Sequence, residues 1–498
     1  MARNKIDYGI DLGTTNSAIC HMEKGEPVII KTDVLKDTMP SCVLVNKKGS
    51  IKVGDSAYNT MKQDKRCATK EWHKGASNTY VEFKRTMATD AKYHCAKLNK
   101  DFTSEELSAE VLKTLKSFVT DETFNSVVIT VPAKFTVNQK AATIKAARSA
   151  GFNCCELLQE PIAASMAYGL TTENKNGIWM VFDFGGGTFD AALMKVEDGI
   201  IQVFDTDGDN YLGGKNLDFA IVDDIIIPYL KENFAIDKIL ADTEKKEILR
   251  EAMKTYAEEA KIQLSFKDQE DIISNLGDLG NDDNGEEIEL DLTLTQAQAF
   301  EVMRPYFQKA VDICKNLLKR NNLDGSQLSK LILVGGPTHC PLIRQMLNEQ
   351  ITPNVDTSID PMTAVATGAA LYASTINNDA SDEDLKLDTV KLNIDYPATT
   401  IEDTVYASVS LDGNSYVSSS FVEFVRADKS WSSGRLEIDT KGDVVELNLI
   451  EGRANSFNVI CYDNTGNELP CFPNGITIIQ GTAVGAAPLP YFIGIEVW

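Results

Sequence analysis

Two stretches of this sequence place an aspartate at the end of an apolar run and follow it with glycine and threonine: YGIDLGTTNS at 8–17 and VFDFGGGTFD at 181–190. Asp11 is the acid of the first, trailed by Gly13, Thr14 and Thr15; Asp183 is the acid of the second, trailed by Gly185, Gly186, Gly187 and Thr188, with another aspartate closing the stretch. Glycine lets backbone N–H groups approach phosphate oxygens with no Cβ in the way, and threonine hydroxyls add neutral donors. Carboxylates beside phosphates suit Mg²⁺, which takes oxygen ligands and retains several of its waters. One such turn reads equally well as a tight hairpin. Two of them, opening each half of an apparent repeat, point to a nucleotide clamped between lobes, with the aspartates holding its metal.

Other phosphate-binding designs do not fit. No G-x-x-x-x-G-K-[ST] is present; LGGKN at 212–216 lacks both the hydroxyl and the earlier glycine. No G-x-G-x-x-G follows the first strand, so a dinucleotide fold is not expected.

The elements around these turns alternate. After the first strands, Thr103 and Glu106 form a capping box ahead of a helix, SVVITVPA reads as a strand buried on both faces, and NQKAATIKAARSAG as a helix closed by Gly151. CCELLQE leads to Pro161 at the start of the helix PIAASMAYG. At IWMVFDF the series restarts, and long helices, the strand KLILVGG and further helices follow. This predicts an α/β architecture that is duplicated. The polar, acidic stretch NNDASDEDLKLD marks a linker at 377–390, and short alternating segments from TVKLNID to ITIIQ predict a small all-β domain at 391–498.

Composition bounds the function. At 498 residues the chain exceeds a single core, and its formal net charge of -24 argues against a nucleic-acid or anionic-membrane surface. No apolar run has the length of a membrane helix, and MARNKIDYGIDLG lacks a signal-peptide core. The cysteines are scattered without C-x-x-C, and no H-E-x-x-H occurs, which disfavours a zinc site and suits reduced thiols in a cytoplasmic setting.

YGIDLGTTNS, VITVPAKF, QEPIAASMAYGL, VFDFGGGTFD, YLGGKNLDFAIVDDI and LILVGGPTHCPLI together resemble, in order, the motifs of the seventy-kilodalton heat-shock chaperones, DnaK among them. The resemblance covers about the first three-quarters of the chain. It implies an actin-like ATPase domain of two lobes around a nucleotide cleft at 1–376, and a following β domain that grips unfolded or extended polypeptide. It implies ATP/ADP and Mg²⁺ as ligands, a slow ATP phosphohydrolase activity, J-domain co-chaperones and nucleotide-exchange factors as partners, and a monomer.

Carried over residue by residue, the catalytic set is Asp11, Lys84, Glu160, Asp183 and Thr188. Lys84, in VEFKRTM, falls where the family keeps the lysine that reaches the γ-phosphate and attacking water; taken alone it reads as a surface lysine. Glu160 matches the glutamate that positions water or metal, at a helix N-terminus that favours its ionised form. Gly213, Gly214, Glu258, Lys261, Ser265, Gly335, Gly336 and His339 match the nucleoside side.

There are departures. The family stacks adenine between two arginines, and here Ile262 and His339 stand at those positions, with Pro337 in place of a serine. Isoleucine offers no cation–π attraction, so weaker nucleotide affinity is expected. Met362 and Lys140 replace an aspartate and an arginine, and the leucine run of the family's linker is broken in DLKLDTVKL. No helical text follows FIGIEVW, so the helical lid of the family is not expected. The alternatives are a catalytically weak scaffold or co-chaperone of the same family and, further off, another actin-like ATPase or a sugar kinase.

Overall fold

The computed structural model describes residues 6–46, 48–73, 78–169, 176–197, 200–376, 388–413, 415–481 and 483–484. The expected linker lies outside the described residues apart from 388–390, and so does FIGIEVW.

In the first lobe, β1 (Tyr8–Asp11), β2 (Asn16–Glu23), β3 (Glu26–Ile29), β4 (Ser126–Val131) and β5 (Cys154–Gln159) form a sheet in the order β5-β4-β1-β2-β3. β1 pairs parallel with β4 and antiparallel with β2. In the second lobe, β6 (Gly177–Phe184), β7 (Phe189–Glu197), β8 (Ile200–Asp209), β9 (Leu328–Val334) and β10 (Val355–Asp356) repeat the order as β10-β9-β6-β7-β8. β6 pairs parallel with β9 and antiparallel with β7. The two sheets thus share strand order and direction, which is the duplicated, actin-like design.

Local chemistry sets the helices between them. α1 is Asp55–Glu71; α2 (Ser104–Ser117) starts at the Thr103–Glu106 capping box, and α3 (Val137–Ser149) at a second one made by Thr136 and Gln139. Gly151 follows α3 at φ 85°, a left-handed stop. α4 (Glu160–Gly169), α5 (Gly214–Ile221), α6 (Thr243–Leu264), α7 (Gln296–Arg320), α8 (Pro341–Gln350) and α9 (Ala364–Ala373) complete the longer described helices of the two lobes.

α4 and α9, rich in alanine and apolar around nearly their whole circumference, are buried between the sheets. A Cβ on Gly368 of α9 would overlap the carbonyl oxygen of Ala163, so only glycine allows the two helices to come this close. This contact locks the backs of the lobes together. At the open side of the cleft, α1 of the first lobe faces α6 of the second through Lys65–Glu251 at 2.6 Å and Arg66–Glu259 at 3.2 Å.

The C-terminal part is a two-sheet β-sandwich. β11 (Val390–Asp395), β12 (Thr404–Leu411), β13 (Ser420–Arg426), β14 (Leu436–Ile438), β15 (Asp443–Asn448), β16 (Ala454–Tyr462) and β17 (Gly475–Gln480) supply its main strands. One sheet contains β15-β12-β11, the other β17-β16-β13-β14. Inward residues such as Val409, Phe424, Leu447 and Phe457 fill the space between them. The sandwich also meets the two-lobed domain: Ala454 and Ile479 join the apolar cluster of Val196 and Ile201, and Arg453 pairs with Glu26 of β3. Beyond the sandwich, β18 (Ala483–Val484) adds parallel to the β8 edge through Ile200 and Ile201. Among the described residues no helix is long and apolar enough to cross a membrane.

Candidate nucleotide cleft

The two glycine turns meet face to face. Asp11 ends β1 and Asp183 lies near the end of β6, each delivered by its sheet to the same gap. In the first turn the Gly13 N–H donates to the Ser17 hydroxyl at 3.1 Å, and the Ser41 hydroxyl donates to the Gly13 carbonyl at 2.8 Å. In the second, the Gly185 N–H donates to the Thr188 carbonyl at 2.9 Å. Its carbonyls at Gly185 and Gly186 accept from Gly214 and Lys215 at the start of α5. A Cβ on Gly186 would strike the Thr15 side chain from the opposite lobe, and one on Gly213 would strike the Gly187 backbone.

A cavity of about 370 Å³ lies at this junction. It is lined by Asp11, Gly13, Thr14, Thr15, Lys84, Glu160, Asp183, Gly185, Gly186, Thr188, Gly335 and Gly336, which brings most of the expected phosphate-side residues together. Lys84 is only 4% exposed, so its setting is not that of a surface lysine. It stands on a short 3₁₀ turn, Phe83–Thr86, and donates to Glu160 Oε1 at 2.7 Å, with the Phe135 ring centroid 5.6 Å from its Nζ. Glu160 opens α4, where the helix N-terminus stabilises negative charge.

The carboxylates crowd one another. Burial, then the neighbouring Glu160, pushes Asp11 up to about 7, against the pull of Lys84 and of the Thr130 hydroxyl, which donates to Asp11 Oδ1 at 3.0 Å. Asp183 is held well above the usual carboxylate range by burial, then by Glu160, Asp190 and Asp11. Asp190, in register with Asp183 on β7, is pushed up to about 6 by burial and then by Glu160. With Lys84 bonded to Glu160, Asp11, Asp183 and Asp190 still crowd one another, and a divalent cation among their oxygens would relieve that repulsion. The donors are therefore of the right kind for Mg²⁺. Among the described residues no group of three or more His, Cys, Asp or Glu side chains is arranged to cage a metal directly.

The cleft continues into a second cavity of about 390 Å³ that shares Thr14, Thr15, Gly186 and Gly336 with the first. Gly214, Glu258, Lys261, Ser265 and His339 line it. The Tyr58 hydroxyl donates to Glu258 Oε2 at 2.5 Å, and Lys254 lies 3.2 Å from both Glu258 and Asp218. Lys261 donates to Asp218 at 2.5 Å and to the Gly214 carbonyl at 3.2 Å. The far wall is apolar and aromatic: Ile262, half exposed, and Phe266, whose ring centroid lies 5.5 Å from that of His339. His339 Nε2 is 3.2 Å from Asp360 Oδ1.

Of the expected residues, Gly187 and Gly213 are the two that line neither cavity; they buttress the second turn instead. Sequence reasoning assigned no role to Arg85, Thr130, Asp190, Asp218, Lys254 or Phe266, all of which bear on the cleft. Asp190 had a signal, since it mirrors Asp183 across the glycines of a hairpin. Asp218 and Lys254 had none, because their partners lie far off in sequence.

The family profile described as Hsp70 protein matches residues 7–406, ending inside β12, so most of the sandwich lies beyond it. The chain is 34% identical over 394 residues to the chaperone protein DnaK of Nitrosopumilus maritimus (strain SCM1), covering 78% of this chain and 58% of that one. To the chaperone protein dnaK of Cyanidium caldarium it is 35% identical over 388 residues, covering 75% and 61%. To the chaperone protein DnaK of Methanothermobacter thermautotrophicus it is 35% identical over 393 residues, covering 77% and 62%. The chain thus spans about three-fifths of the length of these relatives. With a two-lobed cleft between paired glycine turns and a family match across four-fifths of its residues, the chain belongs to the Hsp70 family.

Proposed function

We propose that the protein binds ATP and hydrolyses it slowly, coupling nucleotide state to the binding of unfolded or extended polypeptide. The observation that carries this reading is the convergence of both glycine turns on one cavity that also holds the Lys84–Glu160 pair, Asp11 and Asp183. The turns would take the phosphates, Glu258, Lys261 and Ser265 the nucleoside, and Asp11 and Asp183 Mg²⁺ through water. When bound, Mg²⁺ supplies charge neutralisation for the β- and γ-phosphates.

In the reaction, the oxygen of water bonds to the γ-phosphorus while the bond to the bridging oxygen breaks, its electron pair leaving with ADP. The water's protons end on inorganic phosphate and solvent. Lys84 offers positive charge to the terminal phosphate, Glu160 orients water, and Thr188 donates from the second turn. No residue needs to become covalently linked. The test is a single-turnover assay with Mg²⁺ and ATP: release of inorganic phosphate supports the reading, and stable bound ATP turns it toward the scaffold alternative. Ile262 and His339 at the base wall, and the broken leucine run of the linker, are the departures that favour that alternative. A kinase reading requires transfer to an acceptor other than water, which the same assay run with candidate sugars distinguishes.

Polypeptide binding is the role we assign to the sandwich, in a cytoplasmic monomer served by J-domain co-chaperones and exchange factors. The support is family membership. The measurement is whether ATP changes the affinity for an unfolded peptide.

A further inference from the structure

We propose that Lys134 is a second phosphate-reaching cation, meeting the terminal phosphate of a nucleoside triphosphate bound in the cleft. The proposal rests on the nucleotide reading above and adds a residue to it.

The charge inventory of the phosphate cavity motivates it. Asp11, Glu160, Asp183 and Asp190 line that cavity as acids, and Lys84, Arg85 and Lys134 as bases. Two of the cations are already committed. Lys84 is bonded to Glu160 at 2.7 Å. Arg85 donates through Nη1 to Glu82 at 2.9 Å and through Nη2 to the Gly187 carbonyl. Among the described residues, Lys134 is the cavity-lining base whose ammonium makes no ion pair or hydrogen bond. A polyphosphate entering a cavity with four carboxylates needs cations that are free to move to it, and Lys134 is free.

Its backbone is fixed even though its head is not. The Phe135 N–H donates to the Pro132 carbonyl at 3.1 Å, and Thr136 caps α3 directly afterwards. Phe135 is buried with its ring toward Lys84. The loop between β4 and α3 therefore holds the Lys134 Cα at the rim, while a four-carbon stem carries an exposed ammonium. Across the gap stands Asp190 of the other lobe, whose carboxyl feels Lys134 as an opposing positive charge.

Position decides which phosphate it meets. Lys134 lines the phosphate cavity and not the nucleoside cavity, on the side that carries Lys84, Glu160 and Asp190. The group farthest from the base reaches that side, so a triphosphate should gain from Lys134 and a diphosphate should not. Lys134 also belongs to the first lobe and Asp190 to the second, so a terminal phosphate between them would tie the lobes together.

The experiment compares the full chain with Lys134→Met and Lys134→Arg, by calorimetry with Mg²⁺ and either ADP or a non-hydrolysable ATP analogue. Loss of one charge-assisted contact weakens binding on the order of tenfold. The expected result is that Lys134→Met weakens the ATP analogue by about that factor, leaves ADP within about twofold, and is largely rescued by Lys134→Arg. Equal affinities of wild type and Lys134→Met for the ATP analogue would overturn the proposal while leaving the nucleotide reading intact, as would an equal loss for both nucleotides. A wild-type chain that binds neither nucleotide overturns both.

Discussion

Lys84 and Glu160 are bonded to each other, Nζ to Oε1 at 2.7 Å, although each is expected to serve the γ-phosphate and its attacking water. The pair neutralises itself in a largely buried setting, with side chains 5% and 15% exposed. Removing the cation strands an acid beside Asp11 and Asp183, and removing both charges does not. Lys84→Met should therefore lower ATP turnover by about 10²–10³-fold, the usual effect of deleting one preorganised donor. It should also cost about 1–3 kcal/mol of stability by leaving Glu160 unpaired. Adding Glu160→Gln to it should recover much of that stability and none of the turnover. Phosphate release and denaturant titration measure the two effects separately, and unchanged turnover in Lys84→Met would remove this lysine from the mechanism.

Asp11 ties stability to pH with a definite sign. Its folded-state value is raised to about 7, from an unfolded value near 3.8, by burial and then by Glu160. The folded, ligand-free chain holds that proton more tightly than the unfolded one. This contribution to stability is thus fully present below the unfolded value and lost as pH rises through about 7. Asp190, raised to about 6, acts in the same sense over a slightly lower range. Thermal unfolding without nucleotide or divalent ion should show a melting temperature that declines between about pH 4 and 7 relative to Asp11→Asn, which has no such proton to lose. Saturation with Mg²⁺ and ADP at about 100 times Kd should raise stability by about 2.7 kcal/mol. A slope identical in wild type and Asp11→Asn would contradict the assignment.

The base wall predicts low affinity that can be repaired. Ile262 is 51% exposed and Phe266 70% exposed on a surface where the nucleoside cavity opens. A guanidinium plane over a base contributes about 0.5–2 kcal/mol that isoleucine cannot. Ile262→Arg with His339→Arg should tighten ADP by about tenfold. Phe266→Ala should weaken it by about 1 kcal/mol, if the ring stacks on the base as it lies against His339. Calorimetry measures both, and tight ADP binding by the unaltered chain would contradict the prediction of low affinity.

Short-range chemistry was the most readable part of this chain. The Thr103–Glu106 cap, the left-handed Gly151 and the apolar strand at Ser126–Val131 each follow from a few adjacent residues. The seven main strands of the sandwich likewise declare themselves by alternation between turns. What escaped is set by pairings across the fold. The environment of Lys84 depends on Glu160 and Phe135, and Arg85 acts through the carbonyl of Gly187 in the other lobe. Asp218 is polar text inside a helix until Lys254 and Lys261 arrive on either side of it from α6. Ile262 and His339 were located by motif alignment, but Phe266, an unremarkable residue beside Ser265, gains its role only when α6 and the turn at His339 come together.

Docking of the sandwich offers a test in which magnitudes choose between two contacts. Arg453 pairs with Glu26, but their side chains are 34% and 56% exposed, and an exposed ion pair contributes about 0–1 kcal/mol. Ala454 and Ile479 are instead 2% and 1% exposed within a cluster that includes Val196 and Ile201 of the second lobe. Apolar burial contributes about 25 cal/mol per Å², so the apolar contact should dominate. Glu26→Arg should therefore leave the domains docked, whereas Ala454→Arg forces a charge into the buried apolar cluster and should release them. Small-angle scattering should show an unchanged radius of gyration for the first variant and a larger one for the second. Separate melting transitions should appear only in Ala454→Arg, with the two-lobed domain keeping its own. If Glu26→Arg alone undocks the sandwich, the ion pair and not the apolar seam holds the two domains together.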